Sequence, residues 1–323
     1  MKILVTGGAG YIGSHTVKAL IKEGFEVIVY DSLENGHQES LVGGVILVEG
    51  NLSDTELLNR TFKDHQFDAV IHFAGYIEAG ESMKDPLKFF QNNVAKGINL
   101  LNAMVKHNVN KIIFSSSAGV YGMPPKVPIT EDMPKRPINH YGATKLIFER
   151  ILEASKVYGI RSICLRYFNA AGAAGDIGED HNPETHLIPL ILQVALGKRE
   201  NIKIFGSDYK TKDGSCIRDY IHVLDLADAH ILALKGLFVG KEGKYNIGTG
   251  KGYSVKEIID VSRAITKHPI PAIISERRPG DPAILVASPK KFCQEFNWHP
   301  KYGLLEIIKS AWHWHKSNPN GFN

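Results

Sequence analysis

The chain has 323 residues, of which 43% are hydrophobic and 22% charged, the proportions of a folded globular protein and not of a disordered, collagen-like or disulfide-dense one. At about 150 residues per domain it should hold about two domains. Its net charge of +4, with no long basic block, argues against a nucleic-acid partner and leaves room for a small acidic ligand.

The first predicted strand, Lys2–Val5, begins at once, too abruptly for a signal peptide, and no apolar run approaches the roughly 18 residues of a membrane span. The expectation is a cytoplasmic protein with no membrane partner. That strand ends in Thr6-Gly7-Gly8-Ala9-Gly10-Tyr11-Ile12-Gly13, where Gly7, Gly10 and Gly13 have the G-x-x-G-x-x-G spacing. Such glycines permit a tight turn, let backbone N–H groups approach a pyrophosphate, and open a helix whose N-terminus favours negative charge. A turn needed only for strand–helix packing is the plainer alternative. Gly24 should stop the helix. The second strand, Glu26–Tyr30, leads into Asp31, an acid placed to accept from adenosine ribose hydroxyls. Ser32, Leu33, Glu34 and Asn35 supply no cation for a ribose phosphate, which favours NAD over NADP.

Further strands at Val45–Val48, Asp68–Phe73, Lys111–Phe114 and Arg161–Tyr167 alternate with helical segments such as Leu87–Val105 and Gly142–Val157. The strands are continuously apolar, as for a parallel sheet buried on both faces, and the alternation reads as a doubly wound α/β (Rossmann) sheet. Past residue 170 the pattern changes. The polar stretch Ala173–Thr185 has no period and reads as a functional or mobile loop. Short strands at Ile202–Phe205 and Tyr245–Ile247 follow, among Pro-rich turns. The expected organisation is an NAD-binding domain over 1–172 and a smaller mixed α/β substrate domain over 173–323, with segments such as 220–250 interleaved with the first.

Two pieces of chemistry stand out. Tyr141 and Lys145 are spaced i and i+4, so they share one helix face. A free phenol with a pKa near 10 is a poor base, and a neighbouring lysine cation favours the phenolate. Upstream, Ser115-Ser116-Ser117 stands at the carboxyl end of a predicted parallel strand, where open α/β sheets place ligands. A solvated helix face is the alternative for Tyr141 and Lys145 taken alone. In the second half, Arg218 and Arg278 lie in short polar loops and suit a diphosphate, or else pair with Asp219 and Asp281 beside them. Asp281, near Pro279 and Gly280, also suits a turn. His181 and His186 share their loop with Asp176, Glu179, Asp180 and Glu184. Their spacing matches no metal-ligand signature, so the loop reads as solvated and acidic and no metal is expected. Cys164, Cys216 and Cys293 are few, odd in number and widely spaced, which fits a reducing compartment without disulfides. Trp312-His313-Trp314-His315 reads as an amphipathic helix packing its tryptophans.

Taken in order, Gly7–Gly13, Asp31, Phe73-Ala74-Gly75, Asn92-Asn93-Val94, Ser115 to Gly122, Tyr141–Lys145, Leu165 to Asn169, Arg218 to Val223 and Arg277 to Asp281 resemble the extended short-chain dehydrogenase/reductase superfamily, and within it the UDP-glucose 4-epimerase family, over nearly the whole chain. The resemblance implies reversible epimerisation at the 4-position of UDP-hexoses through a 4-keto sugar and bound NAD. It makes Tyr141 the general base, Lys145 its partner and Ser117 a proton-transfer aid. It implies NAD contacts at Gly7, Gly10, Tyr11, Ile12, Gly13, Asp31, Asn35, Asn51, Leu52, Phe73, Ala74, Gly75, Asn92, Tyr141, Lys145 and Phe168. The sugar nucleotide falls to Ser117, Tyr141, Asn169, His186, Leu187, Lys203, Ile204, Phe205, Arg218, Arg278, Asp281 and Leu285. Ile77 stands where many members carry a lysine, Gly119 replaces a common threonine, and His186 stands where an asparagine usually contacts the diphosphate. Leu285, smaller than an aromatic at the position that limits the pocket, implies activity on N-acetylated UDP-hexoses too. Relatives commonly dimerise through two helices of the nucleotide domain, which implies a homodimer. The rivals are another NAD-dependent sugar-nucleotide enzyme, such as a dehydratase or uronate epimerase, and a non-catalytic NAD-binding regulator. Ala118-Gly119 stands where dehydratases carry an acid pair, and Tyr141 with Lys145 argues against a regulator.

Overall fold

The computed structural model describes residues 1–278 and 281–322; Pro279 and Gly280, and with them the turn expected beside Asp281, lie outside the described residues. Six strands form the parallel core of one sheet: β1 (Lys2–Thr6), β2 (Glu26–Asp31), β3 (Ile46–Glu49), β4 (Ala69–His72), β5 (Lys111–Ser117) and β6 (Arg161–Tyr167). Their order is β3-β2-β1-β4-β5-β6, and a seventh strand, Gly243–Ile247, lies beyond β6. The chain leaves β1 toward β2 on one side and returns through β4 on the other, so the switch point of a dinucleotide-binding sheet falls between β1 and β4. Ile3, Leu4, Val70, Ile71, Ile112 and Ile113 are fully buried, as strands covered on both faces require.

Two compact units result. One comprises Met1–Gly122, Pro134–Tyr167 and Ala227–Tyr245; the other comprises Met123–Met133, Phe168–Leu226 and Asn246–Asn323. The first has its own apolar core, with Leu4, Ile28, Phe62, Leu100, Ile112, Phe114 and Phe148 among its members. The second buries Ile188, Ile191, Ile204, Ile258, Ile307 and their neighbours together. The excursion of 123–133 into the second unit left no sequence signal. It is a short loop whose Ile129 is fully buried and bridges to Ala287. Trp314 of the C-terminal helix Leu304–Ser317 is buried, as its pattern predicts. No helix among the described residues is long and apolar enough to cross a membrane.

Local chemistry fixes the elements around the first unit's ligand edge. The helix after the glycine turn, α1 (Tyr11–Lys22), stops before Gly24, whose φ of +81° only glycine adopts cheaply. The expected helix Leu87–Val105 is Pro86–Phe90, a π turn over Gln91–Ala95, and Lys96–Lys106. The extra residue of a π turn re-aims side chains and often marks a functional stretch. β5 runs on to Ser117, three residues past the predicted end, with Ser115, Ser116 and Ser117 in register with Leu165, Arg166 and Tyr167. Hydroxyls end a strand's apolar signal, but here the Ser116 and Ser117 hydroxyls meet Glu149 and Tyr141 of the helix His140–Ala154, and the Ser115 hydroxyl meets Tyr167 of β6.

The clearest case is a buried ionic network. Ser116 Oγ donates to Glu149 Oε1 at 2.5 Å. Arg166 donates bidentately to the same carboxylate, at 2.9 and 2.6 Å, and to the Tyr121 hydroxyl at 2.7 Å. Both charged side chains are almost wholly excluded from solvent. Removing one partner strands the other's charge, at about 3–5 kcal/mol, whereas apolar replacement of both costs less. Glu149→Leu and Arg166→Met should therefore each lower the urea midpoint strongly, and the double variant should be more stable than either single one. Single variants within about 1 kcal/mol of the parent in urea denaturation would show that this network does not hold the helix to the sheet.

Candidate active site

The glycine turn is built as a cradle. Gly7 has φ +72°, and a Cβ there would come within 2.5 Å of Ala74 N. A Cβ at Gly13 would come within 2.2 Å of Gly7 O, so this glycine serves helix–turn packing. Gly10 differs: the nearest atom to its Cβ position is Gly7 O, 3.4 Å away. Its small size is therefore not demanded by the chain's own packing. Gly10 is also the N-cap of α1 and offers no side-chain cap, so the first-turn N–H groups of Tyr11 and Ile12 suit an anion.

Asp31, at the end of β2, is buried and accepts from Ala9 N at 2.9 Å and Leu33 N at 3.0 Å. Each carboxylate oxygen keeps a second lone pair for a ribose hydroxyl. Burial raises the Asp31 pKa, and the backbone N–H groups act against it. These features fit a dinucleotide whose pyrophosphate lies on the turn and whose adenosine ribose meets an acid.

The other expected cofactor contacts have mixed placements. Phe73 N and Ala74 N both donate to Thr6 O, which fixes the end of β4 against β1. Gly75 has φ +157°, with its Cβ position 3.1 Å from the Asn93 side-chain oxygen. Asn51 turns its amide to Glu34 and its oxygen to Ser53. Leu52 is buried in the first core, and Asn35 is exposed. Asn92 is half-buried, whereas its neighbour Asn93 accepts from Tyr76 N and donates to Tyr76 O and Thr144 Oγ1. Asn93 thus ties the loop after β4 to the helix His140–Ala154. The π turn that aims it could not be seen in the sequence.

Ser117, Tyr141 and Lys145 are brought together. The Ser117 hydroxyl is hydrogen-bonded to the Tyr141 phenol and accepts from Gly119 N at 3.0 Å. Lys145 Nζ donates to Ser115 O at 2.8 Å and lies 5.8 Å from the centre of the Tyr141 ring. Burial brings the Lys145 pKa down to about 8. The Tyr141 pKa is not lowered, as the Tyr–Lys spacing leads one to expect, but raised. Burial is the main cause, Glu78 adds to it, and the Ser117 hydrogen bond acts against it. Glu78, which motif spacing did not single out, is the carboxylate that acts on this phenol.

In the second unit, Arg218 is held by Asp281 and not by Asp219, and its Nη1 donates to Ile217 O at 2.7 Å. Asp219 instead accepts from Thr249, Gly250 and Ala287. Leu285 pairs in register with Arg218, and Asn169 with Tyr220. The Arg278 guanidinium lies 4.0 Å over the Phe205 ring. Along the strand Ile202–Phe205, Lys203 is exposed, while Ile204 turns into the core and offers a ligand only its backbone. Phe168 is buried and its N–H donates to Ile247 O. His186 and Leu187 start the helix Leu187–Ala195, with the His186 ring turned to Glu179 and Glu184. The loop before it is not the solvated acidic stretch expected, because the Glu179 and Glu184 side chains are each only 5% exposed.

Turn, acid and Ser–Tyr–Lys set together define a nicotinamide-dinucleotide enzyme of the short-chain dehydrogenase/reductase class. Residues 3–248 match the model of the NAD dependent epimerase/dehydratase family. A UDP-glucose 4-epimerase of Halalkalibacterium halodurans is 53% identical, with 100% of this chain and 98% of the relative covered. The solved UDP-glucose 4-epimerase of Bifidobacterium longum, in complex with NAD+ and UDP, superposes with a TM-score of 0.95 at 40% identity over 100% of both chains. The UDP-Glc/GlcNAc 4-epimerase of Campylobacter jejuni gives a TM-score of 0.86 at 40% identity, covering 98% of this chain and 99% of that one. The chain belongs to the NAD dependent epimerase/dehydratase family and, within it, to the UDP-glucose 4-epimerases.

The two helix-proximal glycines should separate by variant. Gly10→Ala should fold with an unchanged melting temperature yet retain much less NAD, read as cofactor released on acid precipitation. Gly13→Ala should lose stability, because its Cβ meets backbone that cannot yield. Equal NAD content in Gly10→Ala and the parent would remove the turn as the pyrophosphate cradle.

Proposed function

We propose that the chain interconverts UDP-galactose and UDP-glucose by inverting C4 of the hexose, with Tyr141 moving the hydroxyl proton. The observation that carries this is the buried Tyr141 phenol, bonded to Ser117 and accompanied by Lys145 four residues along the same helix. NAD, which the turn Gly7–Gly13 and Asp31 would hold, would supply reversible hydride transfer at C4. The residues then have distinct tasks. Tyr141 accepts the 4-hydroxyl proton in the oxidation half and gives it back in the reduction half. Ser117, its oxygen fixed by Gly119 N–H, relays or orients that proton. Lys145, anchored on Ser115 O, contributes the chain's own positive charge beside the phenol.

The NAD contacts are assigned to the turn Gly7–Gly13, to Asp31 and to the loop Phe73–Gly75, with Asn35, Asn51, Leu52, Asn92 and Phe168 as further positions. Arg218 and Arg278 are assigned to the diphosphate, where a rigid guanidinium fork binds phosphate oxygens in pairs. Arg218 has five N–H donors, and its bonds to Asp281 and Ile217 engage two of them. Dehydration is disfavoured because Ala118 and Gly119 follow Ser117 where an acid pair would be needed. Leu285 supports turnover of UDP-N-acetylglucosamine as well. The free Cys164, Cys216 and Cys293 fit the cytoplasm.

We assign dimerisation to the face of Pro86–Lys106 and its neighbour helix. Leu87, Phe90, Val94 and Ile98 line a shallow apolar groove there, and Leu87 is 78% exposed. Val157 and Tyr158, just past the helix His140–Ala154, are exposed too. An exposed apolar groove of this kind marks an interaction site.

Tyr141→Phe should keep its NAD and lose nearly all conversion of UDP-galactose to UDP-glucose without added NADH, while the parent also turns over UDP-N-acetylglucosamine. Retained epimerisation in that variant would sink the mechanism, and no turnover of the N-acetylated sugar by the parent would sink the reading of Leu285. For the dimer, light scattering should give twice the chain mass for the parent and the chain mass for Leu87→Asp with Ile98→Asp. A monomeric parent overturns that assignment.

A further inference from the structure

Outside the proposed chemistry, the loop from Ala173 to His186 gathers four metal-ligating side chains that its sequence spacing did not connect. His186 Nδ1 lies 2.9 Å from Glu179 Oε1 and 3.2 Å from Glu184 Oε1. His181 Nδ1 lies 3.4 Å from the same Glu179 oxygen and 3.6 Å from Glu184 Oε2. The four donor atoms all fall within 4.8 Å of one another. In a tetrahedral zinc site with bonds of about 2.0–2.1 Å, neighbouring donors stand about 3.3–3.4 Å apart. The nitrogen–oxygen separations bracket that spacing, with Glu184 facing His186 through Oε1 and His181 through Oε2, and both imidazoles turn Nδ1 toward the carboxylates.

Burial sharpens the case. Two carboxylates with side chains 5% exposed stand beside two imidazole rings whose centres are 5.2 Å apart. The His181 side chain is 15% exposed and that of His186 44%, so the carboxylates, not both imidazoles, are the groups most shut off from water. One divalent cation answers both carboxylates at once and leaves the imidazoles neutral.

The loop is also held from behind by contacts that need no metal. Trp314 Nε1 donates to Asp176 O at 3.1 Å, and Gly178 lies so close on that indole that a Cβ would come within 2.1 Å of it. Phe322 N donates to Asp180 Oδ2 at 2.9 Å. The C-terminal segment thus holds the loop at Asp176, Gly178 and Asp180, and the four donors lie within the loop and at the start of the helix that follows it.

We propose that Glu179, His181, Glu184 and His186 form a closed zinc site that pins this loop to the start of the helix Leu187–Ala195. Two nitrogens and two carboxylate oxygens in four-fold array suit zinc, whereas calcium and magnesium ask for more ligands and oxygen alone. Four protein donors leave no open position, so the ion is structural. His186 then serves the loop through Nδ1, where a relative's asparagine would serve the diphosphate.

The test uses the tag-free full-length chain with its NAD, purified without chelator and analysed for zinc by mass spectrometry. Chelator-treated protein is then titrated with zinc sulfate by calorimetry and with cobalt chloride by visible absorption. The expected result is close to one equivalent of zinc per chain and the intense visible bands of tetrahedral cobalt. His181→Asn and Glu184→Gln should each lose most of both signals while keeping NAD and the parent's circular dichroism. Binding unchanged in both variants puts the ion elsewhere and overturns the proposal. A parent chain that takes up neither ion, or shows only the weak bands of octahedral cobalt, overturns it without reference to any variant.

Discussion

Everything at the chemical edge of the first unit hangs on how one helix face meets the end of β5. Tyr141, Lys145 and Glu149 are spaced at i, i+4 and i+8 on the helix His140–Ala154, and each engages one of three consecutive serines. Ser117 takes the phenol, the Ser115 carbonyl takes the ammonium, and Ser116 gives its hydroxyl to the carboxylate. Period 3.6 on the helix and period 2 on the strand would not by themselves line up three partners. Here two contacts use the side chains of Ser116 and Ser117, at the very end of the strand, and the third uses the Ser115 backbone carbonyl. Moving the helix by one residue would break all three bonds at once.

That arrangement joins stability to chemistry. Glu149 is locked by Arg166 from β6, and Arg166 in turn by Tyr121, so the register of strand against helix rests on a charge pair taken out of water. Such a pair adds little net stability over apolar packing, yet breaking it is costly. Its worth here lies in geometry, since it holds Ser116 and so keeps Ser115 and Ser117 on either side in place. Asn93 plays the matching part at the neighbouring strand, tying the loop after β4 to Thr144, one residue before Lys145.

What the sequence discloses divides along the same line. The parallel strands, the glycine turn, Asp31 and the Tyr141–Lys145 spacing are local patterns, each readable within about ten residues because one period or one turn geometry dictates them. The features it hides are joins between distant segments. Glu149 with Arg166, Asn93 with Tyr76, the seventh strand beside β6 and the entry of 123–133 into the second unit all depend on contacts across many residues. The cluster at Glu179, His181, Glu184 and His186 is near in sequence yet equally hidden. An irregular loop has no period to say which side chains converge, and one of the contacts that hold it comes from Trp314, more than a hundred residues away.

The state of Tyr141 shows how these joins set the chemistry. A lysine nearby argues for an acidic phenol, but Lys145 is itself buried, its hydrogen bond goes to a carbonyl, and burial of the phenol outweighs its pull. Glu78 pushes the same way as burial. The chain alone therefore keeps the proton on Tyr141 and offers Ser117 as the partner through which it can move. On the proposed mechanism the phenol must take a proton in one half of the reaction and surrender it in the other. Burial and Glu78 thus act against ionisation of Tyr141, the Ser117 hydrogen bond acts for it, and any positive charge brought beside the phenol would act in the same direction as Ser117.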